Sequence, residues 1–269
     1  LAEYGLFSYP SNIISRFYKA PYLGAIIHKI FIDFDKNNEI FGKNRDKQYV
    51  SELGKTIGAE SPNEFWYFWR RYFKYGEIQK LYNSHLKLIN IDSFRKELLS
   101  IAEVFKKPLV LKGMIANCNI SFLAKNIPNS YFIFIERDIA FNAQSLLLAR
   151  KEFYGDEKQW YSFKPEEYNL LKNESPINQV VGQVYYTNLA IKNELGKIYE
   201  DRFIKLSYEK FCESPSSVIT EMSELLKINY SEHINHDDIF TNKNCVSVDK
   251  KTWILINKAI NTLKENKIE

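Results

Sequence analysis

The sequence predicts an α/β fold with three layers, a mainly parallel sheet between helices, and one large helical insertion. Three observations carry this. Short apolar runs between breakers occur at Pro108–Gly113, Tyr131–Ile135 and Arg202–Ser207, and each reads as a buried parallel strand. Segments with apolar residues at helical spacing separate the runs, as parallel crossovers require. The stretch before the first run, about 10–106, is mostly helical in pattern and reads as the insertion.

The elements follow in order. Asn12–Phe17 and Tyr22–Phe31 carry apolar residues at helical spacing. Ser61-Pro62-Asn63-Glu64 reads as a helix start, with Ser61 as N-cap, Pro62 at the first position and Glu64 closing a capping box. The aromatic helix Phe65–Tyr72 follows, then a helix over Ile91–Phe105. The run Pro108–Gly113, a helix over Ile115–Asn126 and the run Tyr131–Ile135 form a βαβ unit. Further helices are predicted over Ile139–Phe153, Ile177–Leu195, Ser216–Lys227 and Lys250–Lys264, with the third strand at Arg202–Ser207. No repeat, Gly/Ser linker or low-complexity tract breaks the chain, so residues 1–269 read as a single domain.

Composition excludes several classes. The chain has 269 residues, 45% apolar and 15% aromatic, which argues against disorder. A net charge of +4 is too mild for a nucleic-acid or membrane-surface protein, while small anionic ligands fit. Cys118, Cys212 and Cys245 are scattered with no Cys-x-x-Cys pair, as suits a reducing, cytoplasmic setting. His233-x-x-His236 lacks the thiols or acids that would complete a metal site, so no metal is expected. No apolar run approaches the length of a membrane span. Leu1–Phe7 reads as the last turns of a helix closing at Gly5, with nothing to start it and no initiator Met. A chain lacking its natural N-terminus is therefore the expectation.

Chemistry concentrates at strand ends, where ligands bind in doubly wound sheets. Arg137 ends the second run, and Ser145 lies eight residues on, in the first turns of the next helix. A forked guanidinium with a hydroxyl makes an anion clamp; alternatively Arg137 pairs with Glu136 or Asp138 and Ser145 is an ordinary helix residue. Tyr208, after the third strand, suits stacking on a planar base or packing in the core. Lys112 ends the first run, as a charge stabiliser or a surface lysine.

Phe132–Asp138 with Ser145, followed by Leu206-Ser207-Tyr208-Glu209 through Glu213-Ser214-Pro215, resembles the 3′-phosphate motif and Tyr-Glu motif of the sulfotransferases, of the bacterial type. That resemblance covers nearly the whole chain and implies a P-loop-like sheet. It also implies 3′-phosphoadenosine-5′-phosphosulfate (PAPS) as sulfuryl donor. It assigns Arg137 and Ser145 to the 3′-phosphate, Tyr208 to the adenine pocket, Lys112 to the sulfuryl group and Lys243, in Thr241–Asn244, to a basic loop over the phosphates. For the base, Glu64 is preferred, with Glu60 and His28 behind it. Trp66, Trp69 and Tyr72 either face an acceptor or pack in the core. The acceptor is a small molecule, carbohydrate or peptide bearing a hydroxyl or amine.

Two departures stand against the resemblance. The family's phosphosulfate loop, of the Pro-Arg-Ser-Gly-Thr kind, has no counterpart, and Ile139 replaces the usual Pro after Arg-Asp. A non-catalytic protein of the same fold that binds an adenine nucleotide is the alternative. A P-loop phosphotransferase fits less well, because Gly-x-x-x-x-Gly-Lys-Ser/Thr is not found.

Overall fold

The computed structural model describes residues 2, 4–35, 39, 51–52, 55–228 and 240–265. Glu64, Lys112, Arg137, Ser145, Tyr208 and Lys243 all fall within them. His233 and His236, with Leu1 and Glu3, lie outside the described residues. The chain is mixed helix and strand. It divides into two compact units, 1–74 with 82–114, and 75–81 with 115–269.

The first unit is mostly helical. Gly5 turns the chain at φ 64°, and Ser8 then makes a single parallel bridge to Leu109. Ser8 N donates to the Pro108 carbonyl at 2.8 Å and Val110 N to the Ser8 carbonyl at 2.9 Å. The expected strand over Pro108–Gly113 is therefore corrected to one bridged residue. Helix α1 (Asn12–Arg16) is capped by Ser11, whose Oγ accepts from Ile14 N at 3.2 Å. Helix α2 (Pro21–Phe34) opens on a proline, which fits the first turn because its missing N–H is not needed there. The two helices meet at Gly24, where a Cβ would stand 2.8 Å from Phe17 Cβ and 3.2 Å from Ile14 Cα. A side chain there would force the helices apart.

A short antiparallel hairpin, β1 (Ser51–Glu52) with β2 (Lys55–Thr56), follows and was not foreseen. Helix α3 (Trp66–Tyr72) begins after Phe65, which adopts a left-handed φ of 54°. The predicted start at Ser61–Glu64 is wrong, because Pro62 is tied into a bridge with Ser11 and Asn63 N donates to the Pro10 carbonyl. Helix α4 (Asn83–Leu86) and helix α5 (Ile91–Phe105) complete the unit, and Asn90 caps α5 through Ser93 N at 3.0 Å. Phe94 is the hub of its core, with ring centroids of Phe68, Trp69, Tyr72 and Phe73 all within 5.6 Å. Trp69 and Tyr72 thus pack in the core rather than lining an acceptor site. Arg71 forks onto Glu97 at 2.8 and 3.1 Å and reaches the Tyr18 carbonyl at 2.6 Å, tying α3 to α5 and to the end of α1.

The second unit carries the parallel sheet. The predicted helix over Ile115–Asn126 is reduced to a 3₁₀ turn, Met114–Ala116, and helix α6 (Ile120–Asn126). Strand β3 (Phe132–Glu136) runs into helix α7 (Ile139–Tyr154), then α8 (Tyr168–Leu171), α9 (Pro176–Leu195) and strand β4 (Phe203–Ser207). Strands β3 and β4 pair in parallel, from Phe132 opposite Phe203 to Glu136 opposite Ser207. Helices α10 (Tyr208–Glu213), α11 (Pro215–Leu225) and α12 (Lys250–Glu265) follow.

Helix α9 organises the packing because its apolar residues serve two clusters. Its first half places Val180, Val181 and Val184 against Ala140, Ala143 and Leu147 of α7 and Ile256 and Ile260 of α12. Its second half places Ile191 and Leu195 against Phe134 of β3 and Ile120 of α6. Helix α7 is thereby held on the same scaffold as β3, so the strand-to-helix junction at Arg137 has a fixed direction. Among the described residues no helix is long and apolar enough to cross a membrane.

Candidate functional site

The carboxyl ends of β3 and β4 lie side by side, because the register places Glu136 opposite Ser207. One residue beyond them stand Arg137 and Tyr208. Asp138 caps α7 by accepting from Ala140 N at 2.8 Å and Phe141 N at 3.2 Å, which carries Ser145 around the second turn and back toward the strand end.

Four of the residues singled out in the sequence converge here. Arg137 Nη1 donates to Ser145 Oγ at 3.3 Å. The guanidinium carbon lies 4.8 Å from the centre of the Tyr208 ring, so the aromatic face seats the cation. Arg137 Nη2 donates to the Lys243 carbonyl at 3.2 Å, and Lys243 N donates to the Tyr208 hydroxyl at 3.1 Å. Lys243 therefore joins the site through its backbone, with its side chain exposed; the ammonium read from the sequence is not what makes these contacts. Neither pairing offered for Arg137 as an ordinary surface residue, with Glu136 or Asp138, is present: Glu136 pairs with Lys192, and Asp138 caps the helix.

Three neighbours were given no role in the sequence. Asn244 Oδ1 accepts from Arg137 Nε at 2.7 Å, and its Nδ2 donates to Glu209 Oε1 at 2.7 Å. Glu209 also accepts from Asp138 N at 3.2 Å and Ser207 Oγ at 2.7 Å. Desolvation works against its charge, but the Ser207, backbone and Asn244 donors outweigh it and hold the carboxyl at about 2. Gln144 fixes the approaching segment, donating to the Cys245 carbonyl at 2.9 Å and accepting from Ser247 N at 2.9 Å. The available signals were that Glu209 is the second residue of the Tyr-Glu motif and Asn244 the neighbour of Lys243. Burial pushes the Tyr208 hydroxyl up, opposed by the Lys243 amide and by Arg137.

A guanidinium has five N–H groups, and three of Arg137's are directed at Ser145, Asn244 and Lys243. The remaining two meet no partner among the described residues, and with the Ser145 hydroxyl they are the donors this strand end has to offer an anion. Arg137, Ser145 and Tyr208 are half-buried and Lys243 is exposed. Among the described residues no group of His, Cys, Asp and Glu could hold a metal ion.

In the first unit, Lys112 and Glu64 form an ion pair, so the two residues offered for catalysis are brought together. Glu64 is no capping-box residue, since α3 begins after it. His28 is 3% exposed and its Nδ1 meets Ser11 Oγ at 2.6 Å, which removes it as a base for an external acceptor. The same unit shows a bridge residue, Ser8, followed by a turn into α1, the form that cradles phosphates elsewhere. Its amides are already engaged: Asn12 N donates to the Ser61 carbonyl at 3.0 Å, Ile13 N to the Ala59 carbonyl at 3.0 Å, and Ile14 N to Ser11 Oγ.

Comparison with known proteins adds no relative: no family model matches the chain, and no curated protein or solved structure matches it significantly.

Proposed function

We propose that the chain is a PAPS-dependent sulfotransferase whose second unit binds the 3′-phosphate of the donor through Arg137 and Ser145. The observation that supports this reading is the convergence of Arg137, Ser145, Tyr208 and the 243–245 backbone at the carboxyl edge of two parallel strands. A sulfotransferase-like sheet of three layers, with strands beyond the β3–β4 pair, is part of the proposal.

In this reading Tyr208 borders the adenine, and the phosphoryl oxygens meet the two N–H groups of Arg137 not used within the protein. Transfer breaks the bond between sulfur and the bridging oxygen of the 5′-phosphosulfate. It forms a bond from sulfur to the acceptor oxygen or nitrogen and leaves adenosine 3′,5′-bisphosphate. The catalytic roles proposed for the first unit stay within its own ion pair, Glu64 as proton acceptor and Lys112 as charge stabiliser. The reaction needs no metal, and the acceptor is a small molecule, carbohydrate or peptide carrying a hydroxyl or amine. The cytoplasm, where PAPS is made available alongside reduced thiols, is the proposed setting.

One observation favours a second reading, a nucleotide-binding protein without catalysis: the leading amides of α1 are occupied by protein groups, so that turn offers no cradle for the 5′-phosphosulfate. Calorimetry and turnover separate the possibilities. The sulfotransferase reading expects adenosine 3′,5′-bisphosphate to bind at least tenfold more tightly than ATP with magnesium, and a panel of hydroxyl and amine acceptors to release that product from PAPS. Tight binding without turnover on any acceptor supports the second reading. Preference for magnesium ATP overturns the sulfotransferase reading, and phosphoryl transfer from it to an acceptor favours a phosphotransferase.

A further inference from the structure

We propose that Glu209 and Asn244 are positioning residues that orient Arg137 for phosphate while keeping its positive charge unspent. The inference rests on reading this site as the 3′-phosphate pocket and deepens it.

The geometry is a three-membered chain. Glu209 Oε1 accepts from Asn244 Nδ2 at 2.7 Å, and Asn244 Oδ1 accepts from Arg137 Nε at 2.7 Å. The direction of the amide is forced, since a guanidinium only donates and an ionised carboxylate only accepts. Hydrogen bonds from Ser207 and Asp138 N, besides Asn244, hold Glu209 in its charged form. Its anchors are the end of β4 and the turn before α7, so the carboxylate is fixed to the sheet edge. The chain thus references the guanidinium plane to the scaffold on its Nε side, while Tyr208 supports its face and Ser145 its Nη1.

Interposing an amide has a second consequence. Among the described residues no carboxylate pairs directly with Arg137, although Glu209 is only one side chain away. A direct ion pair would compete with an incoming phosphate, because the anion would have to displace a carboxylate before gaining the guanidinium. The neutral Asn244 transmits orientation and withholds that competitor. An aspartate at position 244 would accept from Arg137 equally well, yet it would place a second charge against Glu209 and a counter-ion against the guanidinium.

The test is the ratio of dissociation constants for AMP and adenosine 3′,5′-bisphosphate, which isolates the 3′-phosphate. The wild-type chain should favour the bisphosphate by at least a hundredfold. Asn244→Ala should lower that ratio by about tenfold, the scale of a hydrogen bond to a charged group, and Asn244→Asp by more than Asn244→Ala. AMP affinity should stay within about twofold in both, a result that general loosening of the pocket would not give. Glu209→Ala should match Asn244→Ala, and the double variant should be no worse than either single one. Asn244 sits on a surface segment, so if Glu209→Ala fails to fold, the two Asn244 variants decide. Ratios unchanged in both Asn244 variants, with the ratio lost in Arg137→Ala, overturn the positioning role and leave the pocket intact. A wild-type chain that does not distinguish the two nucleotides overturns the pocket and the positioning role together.

Discussion

Helix α7 has an arginine near each end, and the two are used in opposite ways. Arg137, just before the helix, is half-buried, leans on Tyr208 and directs three N–H groups at a hydroxyl, an amide oxygen and a carbonyl. Arg150, near the end, is fully buried. Its Nη1 donates to Gln179 Oε1 at 2.6 Å and to the Glu157 carbonyl at 3.2 Å, its Nη2 to Gln183 Oε1 at 3.2 Å, and Trp160 covers it at 4.9 Å. Burial lowers its pKa to about 10. Among the described residues neither arginine meets a carboxylate directly. The difference lies in access. Arg150 directs its Nη donors at the 157–163 segment and α9 where solvent does not reach, with its buried Nε left without a partner, whereas Arg137 stands half-buried with two N–H groups not used by the described residues. The two arginines at the ends of α7 share one style of neutral partner, and solvent access separates them.

The sharpest way to break this contrast is to remove each side chain. Arg150→Ala should cost about 3 kcal/mol or more of unfolding free energy, since it opens a cavity and strands the Gln179 and Gln183 oxygens. Denaturant titration reads this directly, and a loss below about 1 kcal/mol would remove Arg150 from the scaffold. Arg137→Ala should cost less than about 1 kcal/mol in the same titration, because its surroundings reach water. Its affinity for adenosine 3′,5′-bisphosphate should nevertheless fall by about a hundredfold, as the loss of charge-assisted hydrogen bonds implies.

Acid titration sharpens the contrast further. The Glu209 carboxyl is held at about 2, below its ordinary value of 4.5. A depressed carboxylate stabilises the fold above its unfolded pKa, and that contribution fades as pH falls from about 4.5 toward 2. Melting temperature against pH should therefore fall less steeply across this window in Glu209→Gln than in the wild type; parallel curves would show that the carboxylate is not tied as described. The smallest expected effect concerns the thiols. Burial pushes Cys118 up to about 12, against Lys80, and Cys212 is buried, while Cys245 is exposed. Iodoacetamide should alkylate Cys245 first in the native protein, with Cys118 and Cys212 reacting only on unfolding, as mass spectrometry of the labelled chain would show.

What the sequence disclosed depended on how local the controlling forces are. Strands β3 and β4 were legible because an apolar run between breakers has few alternatives, and Ile91–Phe105 matched α5 residue for residue because its stripe and its Asn90 cap are local. The Arg137–Ser145 pairing was legible for a similar reason: a strand end running into a capped helix returns the second turn to its start. The Ser61 cap failed because a partner about fifty residues earlier, Ser11, captures Pro62 and delays the helix to Trp66. Pro108–Gly113 has a strand's composition, but its pairing is limited to the bridge between Leu109 and Ser8. Asn244 and Glu209 meet across thirty-five residues of chain, and no spacing rule finds such a contact. Lys243 was singled out for its charge, and the structure uses its peptide group instead.

The most direct test of the central claim is a crystal structure with adenosine 3′,5′-bisphosphate. The account predicts 3′-phosphoryl oxygens within about 3 Å of Arg137 Nη and Ser145 Oγ, with Asn244 still bridging Arg137 and Glu209. A nucleotide bound elsewhere, or bound with its 3′-phosphate turned to solvent and Arg137 untouched, would contradict it.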